Sequence, residues 1–317
     1  MAELRGTTVE TSIIRVVDGD TVAVTILGRE EKLRLSHLDT EESNHGSDKP
    51  VTPWGKKAKE RAAQLLPAGS PVTLEFAGNE PLAVCLERYR DNFGRLLVWL
   101  HQDGQDFQER MIAEGHSPYF NKYGYADFDS HHDRYLAAER VAQTAHVGVW
   151  NQVEVNGSEQ RNYALLGVWW TLRAELIAAY RAFRAARPEL LNSRLDYAEL
   201  LDQAKQGEDA IVCTELRTCT PVGQNKAIVD IGSKAQSFKL FLPDVEGDEG
   251  QRLLRLLDGR YLPKDDHHVR RSYAYVRGRL QLFRDEPEVE VVVSSAAQIT
   301  DAPRADPPPA RHFTLRG

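Results

Sequence analysis

Between residues 10 and 40 apolar and polar positions alternate through three short runs, SIIRVVDG, TVAVTIL and EKLRLSHL. Val, Ile and Thr dominate them, and a period of two predicts three strands joined by tight turns, the second at Gly28-Arg29. The period then lengthens. PWGKKAKERAAQLL places Ala58, Ala62, Leu65 and Leu66 on one side and Lys and Arg on the other, with Pro53 where a helix opens. SPVTLEFAG and GRLLVWLHQDG read as further strands. FQERMIAEG reads as a helix stopped by Gly115, and DSHHDRYLAAERVAQTAHVGVW as another that ends near Val147-Gly148.

A second block starts after Trp150. Leu165, Trp169, Leu172, Leu176, Tyr180 and Phe183 recur three or four apart, which is one stripe of a long helix closed by Pro188. The stripe suits packing on a barrel or on another chain better than stacking of a base on Trp170. After a short helix, DYAELLDQAKQG, come five strand-like runs: DAIVCTELRTCT, KAIVDIGS, SFKLFLPD, YAYVRGRLQLF and EVEVVVSSAAQI. One helix, EGQRLLRLLDG, separates the third from the fourth. The order β-β-β-α-β-β fits an oligonucleotide-binding (OB) barrel. No internal sequence repeat is visible.

The 317 residues suffice for about two domains. A formal net charge of −7 excludes the general basicity of many nucleic-acid binders, so polyanion binding has to come from local patches. Cys85, Cys213 and Cys219 form no Cys-x-x-Cys pair, which argues for free thiols over a disulfide framework or structural zinc. His131-His132 and His267-His268 lack Cys or acidic partners at ligand spacing and read as solvated. The start of the chain has no apolar run of signal-peptide length and no stretch could span a bilayer, so the expectation is a soluble, cytoplasmic protein.

The first strand carries an anomaly: Asp18-Gly19-Asp20-Thr21 interrupts a Val/Ile run with residues that strands disfavour. Asp-Gly between apolar runs is a hairpin-turn signal, with Gly supplying a positive φ. It also suits a carboxylate aimed at a hard cation. Arg34 lies in the third strand, Asp39-Thr40-Glu41-Glu42 closes it, and Arg95 follows Gly94 at the start of a later strand. Together these groups fit phosphodiester hydrolysis. Asp20 and Asp39 could hold one cation, Glu42 could reach a water, and Arg34 and Arg95 could clamp a phosphate. An all-oxygen donor set favours Ca²⁺ or Mg²⁺ over zinc. Each residue also has an ordinary reading: Arg34 on a strand surface, Arg95 paired with Asp91, Asp39-Thr40 as a helix cap.

The run from about residue 10 to 150 resembles the staphylococcal nuclease (thermonuclease) family through VVDGDTV, RLSHLDTEE, PWGKKA, DNFGRLL, MIAEGHSPY and the closing VGVW, in the family's order. The resemblance implies a five-stranded OB-type barrel capped by three helices. It implies Ca²⁺ (Mg²⁺ or Mn²⁺ behind it) on Asp20, Asp39 and the Thr40 carbonyl, Glu42 as general base, Arg34 and Arg95 on the phosphate, and Asp18 and Thr21 supporting them. It implies cleavage of DNA and RNA to 3′-phosphates. Two departures stand out: Glu41 replaces the family's proline, and of Tyr119, Phe120 and Tyr123 only Tyr123 aligns with the family's base-binding tyrosines.

The expected architecture is mainly β with α: a nuclease-like domain over 1–152, a helical linker over 153–206, an OB-like nucleic-acid-binding barrel over 207–302 and a Pro-rich tail over 303–317. In the second barrel, period-two counting puts Ala274, Val276, Gly278, Leu280 and Leu282 inside. It puts Tyr273, Tyr275, Arg277, Arg279 and Phe283 outside, where aromatic and guanidinium groups suit single-stranded nucleic acid. Lys239 and Phe241 join that face. HHVRRSYAYVRGRLQLFR carries five arginines and no acid. The expected activity is a metal-dependent nuclease acting on DNA, single strands preferred, and on RNA. The alternatives are a non-catalytic single-strand-binding scaffold and a phosphodiesterase for a small nucleotide.

Overall fold

The computed structural model describes residues 4–44, 51–126, 129–151, 161, 163–233, 236–264, 269–283 and 287–303. The loop that follows Asn44, the His267-His268 pair and the tail from Arg304 lie outside them. The chain forms two compact units, Met1–Arg181 and Ala182–Gly317. Among the described residues no helix is long and apolar enough to cross a membrane.

In the first unit three strands, β1 (Thr8–Asp18), β2 (Thr21–Ile26) and β3 (Arg29–Leu35), form a meander. After β4 (His37–Leu38) come α1 (Pro53–Leu65), β5 (Pro71–Glu75), α2 (Leu82–Arg88), β6 (Leu96–Gln102) and β7 (Gln105–Asp106). Then follow α3 (Phe107–Ala113), β8 (Tyr119–Phe120), α4 (Asp129–Thr144) and α5 (Tyr163–Ala186), the last running past the unit boundary. The sheet closes because β1 is long enough for two partners. Its first half pairs antiparallel with β5 and its second half with β2, and two register shifts within that second half bend it. β3 runs parallel to β6, and β6 antiparallel to β5, so β1-β2-β3-β6-β5 is a closed five-stranded barrel. Val22, Val24, Leu33, Leu35, Leu74, Leu96, Val98 and Leu100 are fully buried. Closure satisfies every edge that a small sheet would otherwise expose.

α1 begins as its sequence predicts, with the Thr52 side chain accepting a hydrogen bond from Gly55 N and Pro53 in the first turn. α2 has no such signal. Pro81 caps it with no side-chain hydrogen bond, which is why the sequence pattern passes over it. α4 ends at Thr144, before the expected Val147-Gly148, and a short 3-10 turn over Gly148–Trp150 follows.

The second unit contains β9 (Leu191–Asn192), α6 (Tyr197–Gln206), β10 (Asp209–Glu215), β11 (Thr218–Pro221), β12 (Ala227–Asp230) and β13 (Phe238–Leu242). It continues with α7 (Asp248–Leu256), β14 (Tyr273–Leu282), β15 (Val289–Val292) and β16 (Ile299–Thr300). The run 209–220, read as one strand, is broken at Leu216-Arg217. β10 pairs with β14 and β11 with β12, just as the two halves of β1 serve two partners. β12 pairs with β13, β13 runs parallel to β15, and β15 pairs with β14. Both units therefore share one connectivity with a helix between third and fourth strands, without any sequence repeat. Ala274, Val276 and Leu280 are fully buried in the second core, as the alternation predicts.

Two expectations need correction. Tyr273 and Tyr275 are buried, at 4% and 5% exposure, and do not form an outward stacking face. The first half of β14 lies between β10 and β16, and the Phe183 ring meets Tyr275 edge-on at 6.1 Å. Only the second half of β14 presents exposed arginines, Arg277 and Arg279. His131 is not solvated: it is fully buried and stacks on Trp99 at 4.2 Å. The three cysteines are free, as expected.

The reason for burying His131 is Glu75. This carboxylate at the end of β5 has no exposure, and its Oε2 lies 2.9 Å from His101 Nε2 on β6 and 3.3 Å from His131 Nε2 on α4. Its Oε1 accepts the backbone N–H groups of Arg5 and Gly6 at 2.6 and 3.0 Å. Burial alone would raise its pKa, but these four donors outweigh it and hold the group far below the usual carboxylate range. The depressed pKa makes its stabilisation complete above about pH 5, and that stabilisation drains away as pH falls below about 4. Glu75→Gln should therefore destabilise the protein by about 2 kcal/mol at pH 7. The penalty should shrink towards acid pH in urea melts, and a penalty independent of pH would contradict this account.

Candidate active site

Gly19 and Asp20 form the two-residue turn between β1 and β2, with Asp18 opposite Thr21 in the ladder. The glycine is not there for a left-handed backbone. A Cβ at position 19 would stand 2.8 Å from the Thr40 side chain and 2.9 Å from the Ala58 Cβ on α1. Close approach of the turn to the Asp39-Thr40 segment is what excludes a side chain. The turn at the other end of β2 does use positive φ, at Leu27 and Gly28, one residue earlier than the sequence suggests.

Arg34, opposite Thr21 on β3, joins the two acidic segments. One of its terminal nitrogens donates to the Asp20 carboxylate through a short ion pair. The other donates to Asp39 Oδ1 at 3.1 Å and to the Leu38 carbonyl at 2.8 Å. Asp20 and Asp39 thus lie within the span of one planar guanidinium, and both are nearly buried, at 5% and 7% exposure. Burial works against the charge on Arg34, but the two carboxylates dominate and raise its pKa further. Tyr123 is near enough to add to that shift.

The network continues on both sides. Thr21 Oγ1 donates to Asp20 Oδ1 at 2.8 Å and accepts from Arg95 Nη1 at 3.1 Å. Arg95 also pairs with buried Asp91, through Nε at 2.7 Å and Nη2 at 2.6 Å. The pairing with Asp91 and the place beside Thr21 therefore coexist. Asp39 N donates to Ser117 Oγ at 2.8 Å, which fixes the backbone where Thr40 and Glu42 follow. Asp18 accepts from Gly19 N at 2.8 Å and from Ser43 N at 3.4 Å, bracing the turn against the Glu42 segment. α1 presses on the same segment: a Cβ at Gly55 would fall 2.1 Å from the Glu42 carbonyl.

Two participants escaped the sequence reading. Arg161 donates to the Asp39 carbonyl at 3.0 Å and forms a short ion pair with the Asp39 carboxylate. The Tyr163 hydroxyl donates to Glu41 Oε1 at 2.6 Å. Neither residue belongs to a local motif. The buried face of α5 differs from the predicted stripe: Leu166, Trp169, Trp170, Ile177 and Tyr180 are buried while Leu172 is 39% exposed, and Trp170 lies edge-on to Phe120 and Tyr163.

Two sets of side chains could hold a metal. The Asp20 and Asp39 carboxylates with the Thr40 carbonyl are all oxygen and already surround cationic groups, which fits a hard divalent ion. Glu75, His101 and His131 bring three donor atoms within 4.8 Å of one another, a set suited to a transition metal. Within it, His101 Nε2 bonds Glu75 Oε2 at 2.9 Å.

Of the other expected binding residues, Lys239 is tied to Glu288 and lies 4.1 Å from the Phe283 ring centroid, while Phe241 is half-buried on β13. Within the basic stretch, Arg271 pairs with Asp301 at 3.2 Å.

A closed small barrel that gathers paired acids and arginines at one hairpin end is the architecture the sequence resemblance implies. Residues 32–152 match the family described as Staphylococcal nuclease homologue, and that stretch of the first unit is a domain of the family. The chain is 29% identical over 144 residues to the SPbeta prophage-derived endonuclease YokF of Bacillus subtilis, covering 45% of each protein. It is 28% identical over 144 residues to Endonuclease YncB of the same organism, 45% of this chain and 63% of that one. It is 29% identical over 142 residues to the Thermonuclease of Staphylococcus hyicus, 44% of this chain and 74% of the relative. The match thus spans about half of the first relative and less than two thirds of the second.

Gly19→Ala should cost about 1–3 kcal/mol through overpacking against Thr40 and Ala58. Thermal melts would show the loss, and an unchanged melting temperature would mean that the approach is looser than described.

Proposed function

We propose that the protein is a metal-dependent nuclease that hydrolyses phosphodiester bonds of DNA, single strands preferred, and of RNA, leaving 3′-phosphates. The observation that carries the reading is the convergence of Asp20 and Asp39 on the Arg34 guanidinium. Asp20, Asp39 and the Thr40 carbonyl would hold Ca²⁺. When bound, the ion neutralises charge on the phosphate and favours deprotonation of water. Glu42 takes the proton as the water oxygen bonds to phosphorus. The bond from phosphorus to the 5′ oxygen breaks, and that oxygen leaves with the electron pair and is protonated from solvent. Arg34 and Arg95 donate to the non-bridging oxygens, where charge accumulates.

For the second unit we assign a strand-gripping role to Arg277 and Arg279, exposed on β14, with Lys239 and Phe241 on β13, which β15 separates from β14. Tyr273 and Tyr275 have no part in it, being buried. Binding without cleavage is the second reading. It is favoured by the fact that both carboxylate oxygens of Asp39 already accept from guanidinium groups.

Labelled single- and double-stranded DNA and RNA, incubated with Ca²⁺, Mg²⁺, Mn²⁺ or chelator, separate the two. Cleavage with Ca²⁺ and none with chelator is expected. Glu42→Gln should lower kcat by at least about a hundredfold. Tight binding with no cleavage in any metal would establish the second reading instead. Replacing Arg277 and Arg279 together by Gln should weaken single-strand binding and flatten its salt dependence. If both are unchanged, the grip lies elsewhere.

A further inference from the structure

Arg161 lies beyond residues 32–152, the stretch that matches the family, yet it binds Asp39 of the acidic cluster. Asp39 Oδ1 accepts from Arg34, while Asp39 Oδ2 and the Asp39 carbonyl accept from the two terminal nitrogens of Arg161. The arginine is not a loose surface group. Its side chain is 13% exposed, and its guanidinium carbon lies 5.6 Å from the ring centroids of both Tyr163 and Trp170. Tyr163 in turn bonds Glu41, the acid next to Thr40. A planar, bidentate cation is therefore seated on Asp39, with one of its nitrogens on a carboxylate oxygen that the divalent ion would need.

We propose that Arg161 is a positioning residue of the cation site: a resident counter-ion that keeps the buried acids assembled and that the divalent ion must displace in order to bind. The inference rests on the reading of Asp20, Asp39 and Thr40 as the cation's ligands. Two like-charged buried carboxylates with Arg34 alone between them would be short of positive charge, and Arg161 supplies it. Binding of the ion is then an exchange, one guanidinium out and one divalent cation in. The apparent affinity is reduced by the fraction of molecules in which Arg161 is seated. Because Arg161 stands two residues before α5, whatever fixes that end of the helix also sets the affinity of the site.

The test measures Ca²⁺ binding to the full chain by calorimetry and the Ca²⁺-induced change in melting temperature, in the native protein, Arg161→Met and Arg161→Lys. Arg161→Met should bind Ca²⁺ roughly tenfold or more tightly. It should melt lower than the native protein without Ca²⁺ and gain more from its addition. Arg161→Lys, which keeps the charge and loses the fork, should fall between, and it carries the comparison if Arg161→Met does not fold. Equal or weaker binding by these variants overturns the proposal. Asp20→Asn, made in each background, separates the two levels of inference. If it abolishes Ca²⁺ binding while Arg161→Met binds like the native protein, only the role of Arg161 fails. If the native protein and Arg161→Met bind no Ca²⁺, or Asp20→Asn leaves binding unchanged, the cation-site reading fails with it.

Discussion

Two like-charged carboxylates, Asp20 and Asp39, are held nearly out of water within reach of one guanidinium. Left unpaired, such charges would each cost several kcal/mol, so the surroundings are arranged around their neutralisation. Arg34 bridges them, Arg161 takes the far side of Asp39, and Thr21 passes the network on to Arg95 and buried Asp91. Under the proposed function, the same alternation of charges that makes the cluster tolerable inside a fold would give it oxygen donors for a cation and N–H donors for a phosphate. Stability and chemistry draw on one set of groups, and the ordering of these groups depends on the barrel that carries them.

That barrel works because one bent strand serves two partners. β1 places the Gly19-Asp20 turn at one end of the barrel, and β3 returns Arg34 to face it. Gly19 and Gly55 let the turn, the Thr40 segment and α1 approach within distances that a Cβ would forbid. The second unit repeats the connectivity with β10 and β11 in place of β1. Among its described residues no turn carries a comparable cluster. One topology thus supports two surfaces, one built around buried acids and one around exposed arginines.

What could be read in the chain depended on the range of the interactions. The motifs around Asp20, Asp39, Glu42 and Arg95 are contiguous, so their residue types and order exposed a candidate phosphodiester site before any geometry. Ala274, Val276 and Leu280 were readable because alternation in a strand is local. The same counting failed at Tyr273 and Tyr275, since a period of two assigns a side but does not say what covers it; here Phe183 and β16 do. His131 was misjudged for a related reason: its partners Glu75 and His101 sit on other strands at no recognisable ligand spacing.

Most of the alternation of strands and helices, and the nuclease-type motifs with their order, were legible along the chain, because these rest on short-range propensity and spacing. Which distant groups meet emerged from packing alone: Arg161 with Asp39, Tyr163 with Glu41, His101 and His131 with Glu75. Arg161 and Asp39 are 122 positions apart in the chain. Pairing across such a separation follows from how elements pack, and no local pattern of residue types records it.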